Sequence, residues 1–150
     1  MRSVLYFNKT VFPIDYLLQS LRILNNCMKT VPNFRQLFLE THGFSLKGLD
    51  RCVSDSLELF NESLKKEDWD NFINACSFIS GLSDAFPERS VDFQSMIVPL
   101  IGIVKEKVDN VRKSAAVCLA KLSRDEENGK VMRQHHGTEV LVSLNTVLTK

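Results

Sequence analysis

No apolar run in this chain of 150 residues approaches the length of about 20 residues needed to span a bilayer. The N-terminal stretch Met1 to Asn8 holds one early Arg and one short apolar patch, Val4 to Phe7. It lacks a long apolar region and a small-residue cleavage site, which argues against a signal peptide. An excess of one charge is also missing: 19 Lys and Arg stand against 18 Asp and Glu, a formal net charge of +1. Neither a nucleic acid nor an anionic membrane is demanded by that balance. The basic residues Lys65-Lys66, Lys105, Lys107 and Arg112-Lys113 have acidic neighbours, so they read as solvated helix faces rather than the concentrated patch that counterion release requires.

Motifs for chemistry are absent as well. There is no CxxC, no HExxH, no acidic loop of calcium-binding spacing, no GxSxG, no phosphate loop and no dinucleotide fingerprint. The pair His135-His136, with Cys118 upstream, is the one metal suspect. Adjacent helical residues point about 100° apart, so both imidazoles can hardly face one ion. A nucleophile pair of Cys118 or Cys52 with His42 or His136 would need an electropositive, partly exposed cysteine, and these cysteines sit on apolar stripes. We therefore expect no enzyme activity, no metal and no cofactor. The four cysteines, Cys27, Cys52, Cys76 and Cys118, are widely spaced in helix-like contexts and read as buried, reduced thiols. The expected location is intracellular, cytoplasmic or nuclear.

What is present is helical spacing. The apolar share of 44% and the charged share of 25% are those of an ordinary globular protein, and the length suits one core, hence a single domain over 1–150. Tyr16, Leu17, Leu21, Leu24 and Met28 recur at three- and four-residue intervals and predict a helix from Ile14 to Lys29, with Pro13 in the first-turn slot. Asn33 is expected to cap a short helix carrying Phe34, Leu37 and Phe38, which stops at Gly43. Phe44, Leu46, Leu49 and Val53 mark another short helix, and Leu57, Phe60 and Leu64 carry the period on to Lys66. A long helix follows from about Glu67 through Trp69, Phe72, Cys76, Ile79 and Leu82, with a break at Asp84-Ala-Phe-Pro-Glu88. Phe93 to Lys107 is helical again, and Pro99 is expected to start a new helix inside it. Val108 to Ser123, rich in the small residues Ser114, Ala115, Ala116, Cys118 and Ala120, is a helix whose axis can lie close to a neighbour's. Only Ser3 to Phe12 hints at a strand.

The pattern repeats. Ala75-Cys-Ser-Phe-Ile-Ser-Gly-Leu-Ser83 matches Ala115-Ala-Val-Cys-Leu-Ala-Lys-Leu-Ser123 at a separation of forty residues, within the range of about 40–47 of armadillo and HEAT units. His42-Gly43 sets over His136-Gly137, with Leu37 over Val131 and Phe38 over Met132. Leu21-Arg-Ile-Leu-Asn-Asn-Cys27 matches Ala116-Val-Cys-Leu-Ala-Lys-Leu122 with a one-residue slip. Asn33-Phe-Arg-Gln-Leu-Phe-Leu-Glu-Thr-His-Gly43 and Asn128-Gly-Lys-Val-Met-Arg-Gln-His-His-Gly137 resemble the first helix of an armadillo repeat and its glycine. Thr138 to Leu148 resembles a second helix, and Ile14 to Cys27, Asp68 to Ser83 and Val108 to Ser123 resemble long third helices. Residues 54–66 depart from the pattern as an extension of about one helix, and the repeat around Pro87 lacks a clean first helix.

This resemblance to the armadillo (HEAT-like) family implies an all-α fold: a right-handed α-solenoid of about three to four degenerate repeats, a fragment of a longer array. It also implies a non-catalytic protein-interaction module or scaffold that takes a protein or peptide partner on the face of the third helices. Peptide-binding armadillo proteins carry a Trp and, four residues on, an Asn on that face. The matching pairs are Arg22 and Asn26, Ser77 and Gly81, and Val117 and Lys121. Only Asn26 fits and no Trp fills its slot, which argues against importin-like recognition of basic signals. Arg22, Asn26, Ser77, Val117 and Lys121 are the expected partner-binding positions, and their two cations favour an acidic partner over a basic one. The alternatives are an assembly unit that self-associates through uncapped ends near Leu5 and Leu144, and a microtubule-binding HEAT array whose loops Val31-Pro-Asn-Phe34 and Phe86-Pro-Glu-Arg89 would make the contact.

Overall fold

A computed structural model describes residues 14–40 and 46–148. Among these the protein is all-helical, with no strand. Eight α-helices follow in order: α1 (Ile14–Thr30), α2 (Phe34–Glu40), α3 (Leu46–Lys66), α4 (Trp69–Ala85), α5 (Ile97–Glu106), α6 (Asp109–Leu122), α7 (Glu126–Gln134) and α8 (Gly137–Leu148). A stretch of 3-10 turns, Pro87–Met96, joins α4 to α5. Pro13, His42, Gly43, Phe44, Leu5 and the suggested strand at residues 3–12 lie outside the described residues.

The long helix α4 is the centre of the packing. It touches α1, α3, α6 and the 3-10 segment, and it buries Phe72, Ala75, Cys76, Phe78, Ile79 and Leu82. An amphipathic helix buries one stripe; α4 has to be apolar around most of its girth because it is surrounded. Its start is fixed by Asp68, whose carboxylate accepts from the Asn71 backbone N–H at 3.3 Å and from the Asn71 side chain at 2.8 Å, satisfying one of the orphan donors of the first turn. The seam with α6 brings together the two buried thiols Cys76 and Cys118. The Cys76 thiol hydrogen-bonds that of Cys118, and this contact together with burial holds its pKa well above the ordinary value.

Several expectations shift by a residue or a turn. The extension at residues 54–66 is the second half of the continuous α3, not a separate helix. Its Leu59, Phe60 and Ser63 are buried, and Phe60 meets Phe72 of α4 with ring centroids 5.4 Å apart. The helix around Pro99 begins at Ile97, which puts the proline in the first turn, where a missing N–H costs nothing. Upstream, Phe93 breaks the helical path at φ −100°, ψ 15°. Asn33 takes φ 57° and offers its carbonyl to the Leu37 N–H at 3.1 Å; it is a left-handed turn residue, a conformation asparagine tolerates, and not an extended cap. At the α7–α8 corner the left-handed residue is His136, φ 57°, rather than Gly137. Gly137 is required for another reason: a Cβ there would lie 2.7 Å from Met132 Cγ and 2.9 Å from Ile101 Cδ1. On α6 the fully buried alanine is Ala115, and Ala116 is only half-buried beside the buried Cys118, Leu119 and Leu122.

Trp69 is packed inward. Its ring meets Phe72 edge-on at 5.6 Å, and Lys107 Nζ lies 4.7 Å above it. Phe86 is fully buried and stacks edge-on against Phe38 at 5.6 Å. Phe34 is buried as well, so neither loop named above presents its aromatic side chain outward.

Candidate functional site

An open groove of about 560 Å³ runs across α1, α4 and α6. Its floor consists of small residues, Ser77, Ser80 and Gly81 of α4 and Ser114 of α6, which leave a trough because they have little side chain to fill it. Its walls are longer: Met28 and Lys29 of α1, Arg35 of α2, and Val117 and Lys121 of α6. Gly81 lets α1 come close; a Cβ on it would stand 2.8 Å from Asn25 Oδ1 and 3.0 Å from Met28 Cε.

Polar contacts order the two edges differently. At the α1 edge, Asn25 Nδ2 donates to Ser77 Oγ at 3.0 Å, and Lys29 Nζ approaches the same oxygen at 3.5 Å. At the α6 edge, Asp84 accepts from Lys121 and, at 2.6 Å, from Arg124. Partial burial alone would raise the Asp84 pKa; the bonds from Lys121 and Arg124 outweigh it and hold the carboxyl below its ordinary value. At the α2 end, Arg35 donates to the Ala85 carbonyl at 3.2 Å, pairs with Glu88 at 2.6 Å, and stacks 5.2 Å above Phe86. That pairing keeps the Glu88 carboxyl below its usual range. In the floor, the Ser80 hydroxyl has no hydrogen-bond partner although Ser80 is only 6% exposed.

The groove brings together three of the five expected binding residues, Ser77, Val117 and Lys121. Val117 is 45% exposed. Arg22 and Asn26 do not join them. Burial of Leu21 and Leu24 fixes the rotation of α1, and one residue of register turns a helix by about 100°. Asn25 therefore meets Ser77, Met28 and Lys29 line the groove, and Asn26 is exposed with its carbonyl accepting from Thr30 at 2.7 Å. Arg22 borders a separate small hollow with Asn74 and Phe78. The slip noted in aligning α1 was the available signal. Lys29 and Arg35 were missed because neither belongs to the Trp-and-Asn positions that the resemblance supplied.

Elsewhere, His135 and His136 are both exposed in the α7–α8 corner. Among the described residues, no cluster of three or more His, Cys, Asp or Glu is placed to hold a metal ion. Burial, with the charge of Asp55 adding to it, pushes the Cys52 thiol up to about 12. No described helix is long and apolar enough to cross a membrane. No protein-family model, curated protein or solved structure matches this chain.

Proposed function

We propose that this chain is an armadillo-like α-solenoid module that binds a segment of a partner protein in the groove over α1, α4 and α6. The order of elements supports the repeat. The helices fall into successive groups, α2–α3–α4, then the 3-10 segment with α5 and α6, then α7–α8. Trp69 and Asp109, which open α4 and α6, are forty residues apart, as are Ile97 and Gly137, which open α5 and α8. From α1 to α4 the step lengthens to fifty-five, from Ile14 to Trp69, because α3 carries the extra turns. The observation that carries the functional reading is periodic. Ser77 and Val117, and Gly81 and Lys121, are pairs forty residues apart in sequence, and all four line one open groove. Stacked repeats form continuous surfaces of this kind, and such surfaces bind proteins.

Selection from a displayed random-peptide library tests this. Peptides chosen on the native protein should lose binding when the trough is filled by Ser77→Arg with Val117→Trp, at an unchanged helical spectrum. Peptides that bind native and filled proteins equally would overturn it.

A second reading, self-association through stacking faces, is favoured by one observation. Val142 of α8 is 60% exposed, and the same helix contributes Val140 and Leu144 to the lining of a hollow of about 400 Å³. Light scattering that shows concentration-dependent assembly, reversed by Val142→Asp, would favour that reading; a monomer at all concentrations would dismiss it.

A further inference from the structure

Resting on the groove reading above, we infer that the groove selects an extended segment bearing a carboxylate, which is held at the α1 edge by Lys29, and that Asp84 is a built-in competitor occupying the cation at the opposite edge.

The charges are unequally matched. Arg35 has Glu88. Lys121 and Arg124 share the single carboxylate of Asp84, so one positive charge stays in surplus there. Lys29 pairs with no carboxylate among the described residues; its ammonium reaches only the Ser77 hydroxyl, at 3.5 Å. Three cations, Lys29, Arg35 and Lys121, line the groove against one anion, Asp84. A basic segment would meet like charge along both walls, and like charges in apposition select against a partner. An acidic side chain at the α1 edge gains Lys29 directly. One at the α6 edge gains Lys121 only by displacing Asp84, which is already in place without the entropy cost of association.

The floor favours an extended backbone. Each residue of such a segment brings an N–H and a C=O that no helix satisfies. The Ser77 hydroxyl, which accepts from Asn25 and Lys29 and lines the open groove, can donate its own hydrogen to one of these carbonyls.

The test titrates isotopically labelled protein with three fluorescent ten-residue peptides of alternating sequence, Gly-Glu, Gly-Lys and Gly-Ser, reading amide shifts at Ser77, Ser80, Gly81 and Val117 together with anisotropy. The Gly-Glu peptide should shift those amides, and added salt should weaken it. Lys29→Glu should weaken it by about tenfold. Asp84→Asn, which frees Lys121 and Arg124, should tighten it by about two- to fivefold. Ser77→Ala supplies a charge-neutral check and should weaken all peptides that occupy the groove. If Gly-Lys or Gly-Ser shifts the groove amides and Gly-Glu does not, the acidic preference is wrong and the groove reading stands. If Gly-Glu binds but Asp84→Asn weakens it or leaves it unchanged in a folded protein, Asp84 is not a competitor. If none of the three shifts these amides, the acidic preference fails; the displayed-peptide selection, which covers all sequences, then decides the groove reading by itself.

Discussion

Replacing Asn128 should be among the costliest single changes outside the apolar core. This side chain is fully buried in the first turns of α7. Its Nδ2 donates to the Ser90 carbonyl of the 3-10 segment at 2.8 Å and to the Leu122 carbonyl at the end of α6 at 3.0 Å, so one amide ties three elements together. Asn128→Ala deletes both donors. The Leu122 carbonyl keeps a contact from the Asp125 N–H at 3.3 Å, whereas the Ser90 carbonyl loses its side-chain partner. Each buried hydrogen bond lost with its acceptor left unpaired costs about 1–3 kcal/mol. The Asn128 Oδ1 itself has no partner, so alanine also removes one orphan and draws the total toward about 2–4 kcal/mol. At about 2–4 °C per kcal/mol for a chain of this size, the melting temperature should fall by about 5–15 °C. Urea unfolding should show a lower midpoint at unchanged m. Asn128→Asp keeps the shape but aims an acceptor-only carboxylate at two carbonyls, and should cost as much or more. Asp125→Ala removes only the cap, which accepts from the Asn128 N–H at 3.0 Å, and should cost about 1 kcal/mol. An Asn128→Ala variant within about 0.5 kcal/mol of the native protein, the range of an ordinary surface substitution, would refute the joint.

Two glycine-to-alanine changes should have opposite signs: nothing lies within 4 Å of a Cβ at Gly102, so Gly102→Ala should stabilise by up to about 1 kcal/mol, whereas Gly137→Ala should destabilise by about 1–3 kcal/mol through overpacking on Met132 and Ile101; equal signs in urea melts would contradict the packing. Ala115→Asp should abolish cooperative unfolding, because a charge at a fully buried position is neither solvated nor paired, while Ala116→Asp, at a half-buried position, should leave a folded protein; the reverse order would mean the register of α6 is wrong. Titration with an activated aromatic disulfide should modify the half-buried Cys27 first and the buried Cys52, Cys76 and Cys118 only on unfolding. Because burial lifts the Cys52 thiol from 9.0 to about 12, the unfolded chain releases a proton above pH 9 that the folded chain keeps, and the stability present below pH 9 should drain away between about 9 and 12. Ser80→Ala should leave the free protein as stable or more stable by up to about 1 kcal/mol, since it removes a buried hydroxyl with no partner and improves helix propensity; a clear loss of stability would mean the hydroxyl is satisfied.

The sequence carried the helices and their breaks because an apolar stripe is periodic and a turn is polar. It carried Ser77, Val117 and Lys121 onto one face because forty-residue spacing is a long-range signal that needs no exact helix phase. Phase is where it ran out. Asn25 and Asn26 are chemically identical, and only the burial of Leu21 and Leu24 decides that Asn25 is the one facing α4. Ala115 and Ala116 are likewise indistinguishable, since two adjacent alanines carry no amphipathic information. Asn128 sits in the run Arg124-Asp-Glu-Glu-Asn-Gly-Lys130, which looks like a solvated turn. Its burial follows from the docking of α7 on the 3-10 segment, a tertiary fact with no local trace. Gly137 reads as a helix stop, but its neighbour His136 takes the left-handed turn, and Gly137 serves instead the close approach to Met132 and Ile101, where there is no room for a Cβ.

The seams and the groove follow from one choice of residue size. Small side chains on α4 and α6 are buried at Ala75, Cys76, Ala115 and Cys118, and Cys76 meets Cys118, where close packing returns dispersion and burial energy. The same two helices carry small side chains along the groove, where Gly81 makes room for α1 and Ser77, Ser80 and Ser114 line the open trough. Packing accounts for Gly81 but not for the three serines. Leucine at position 80 would bury more apolar surface, and an unpartnered Ser80 hydroxyl costs stability rather than adding it. Lys29 beside Ser77, and Lys121 with Arg124 on one shared carboxylate, are likewise arranged with more positive charge than the free protein neutralises. That surplus of positive charge along one open trough is a feature that folding by itself does not require.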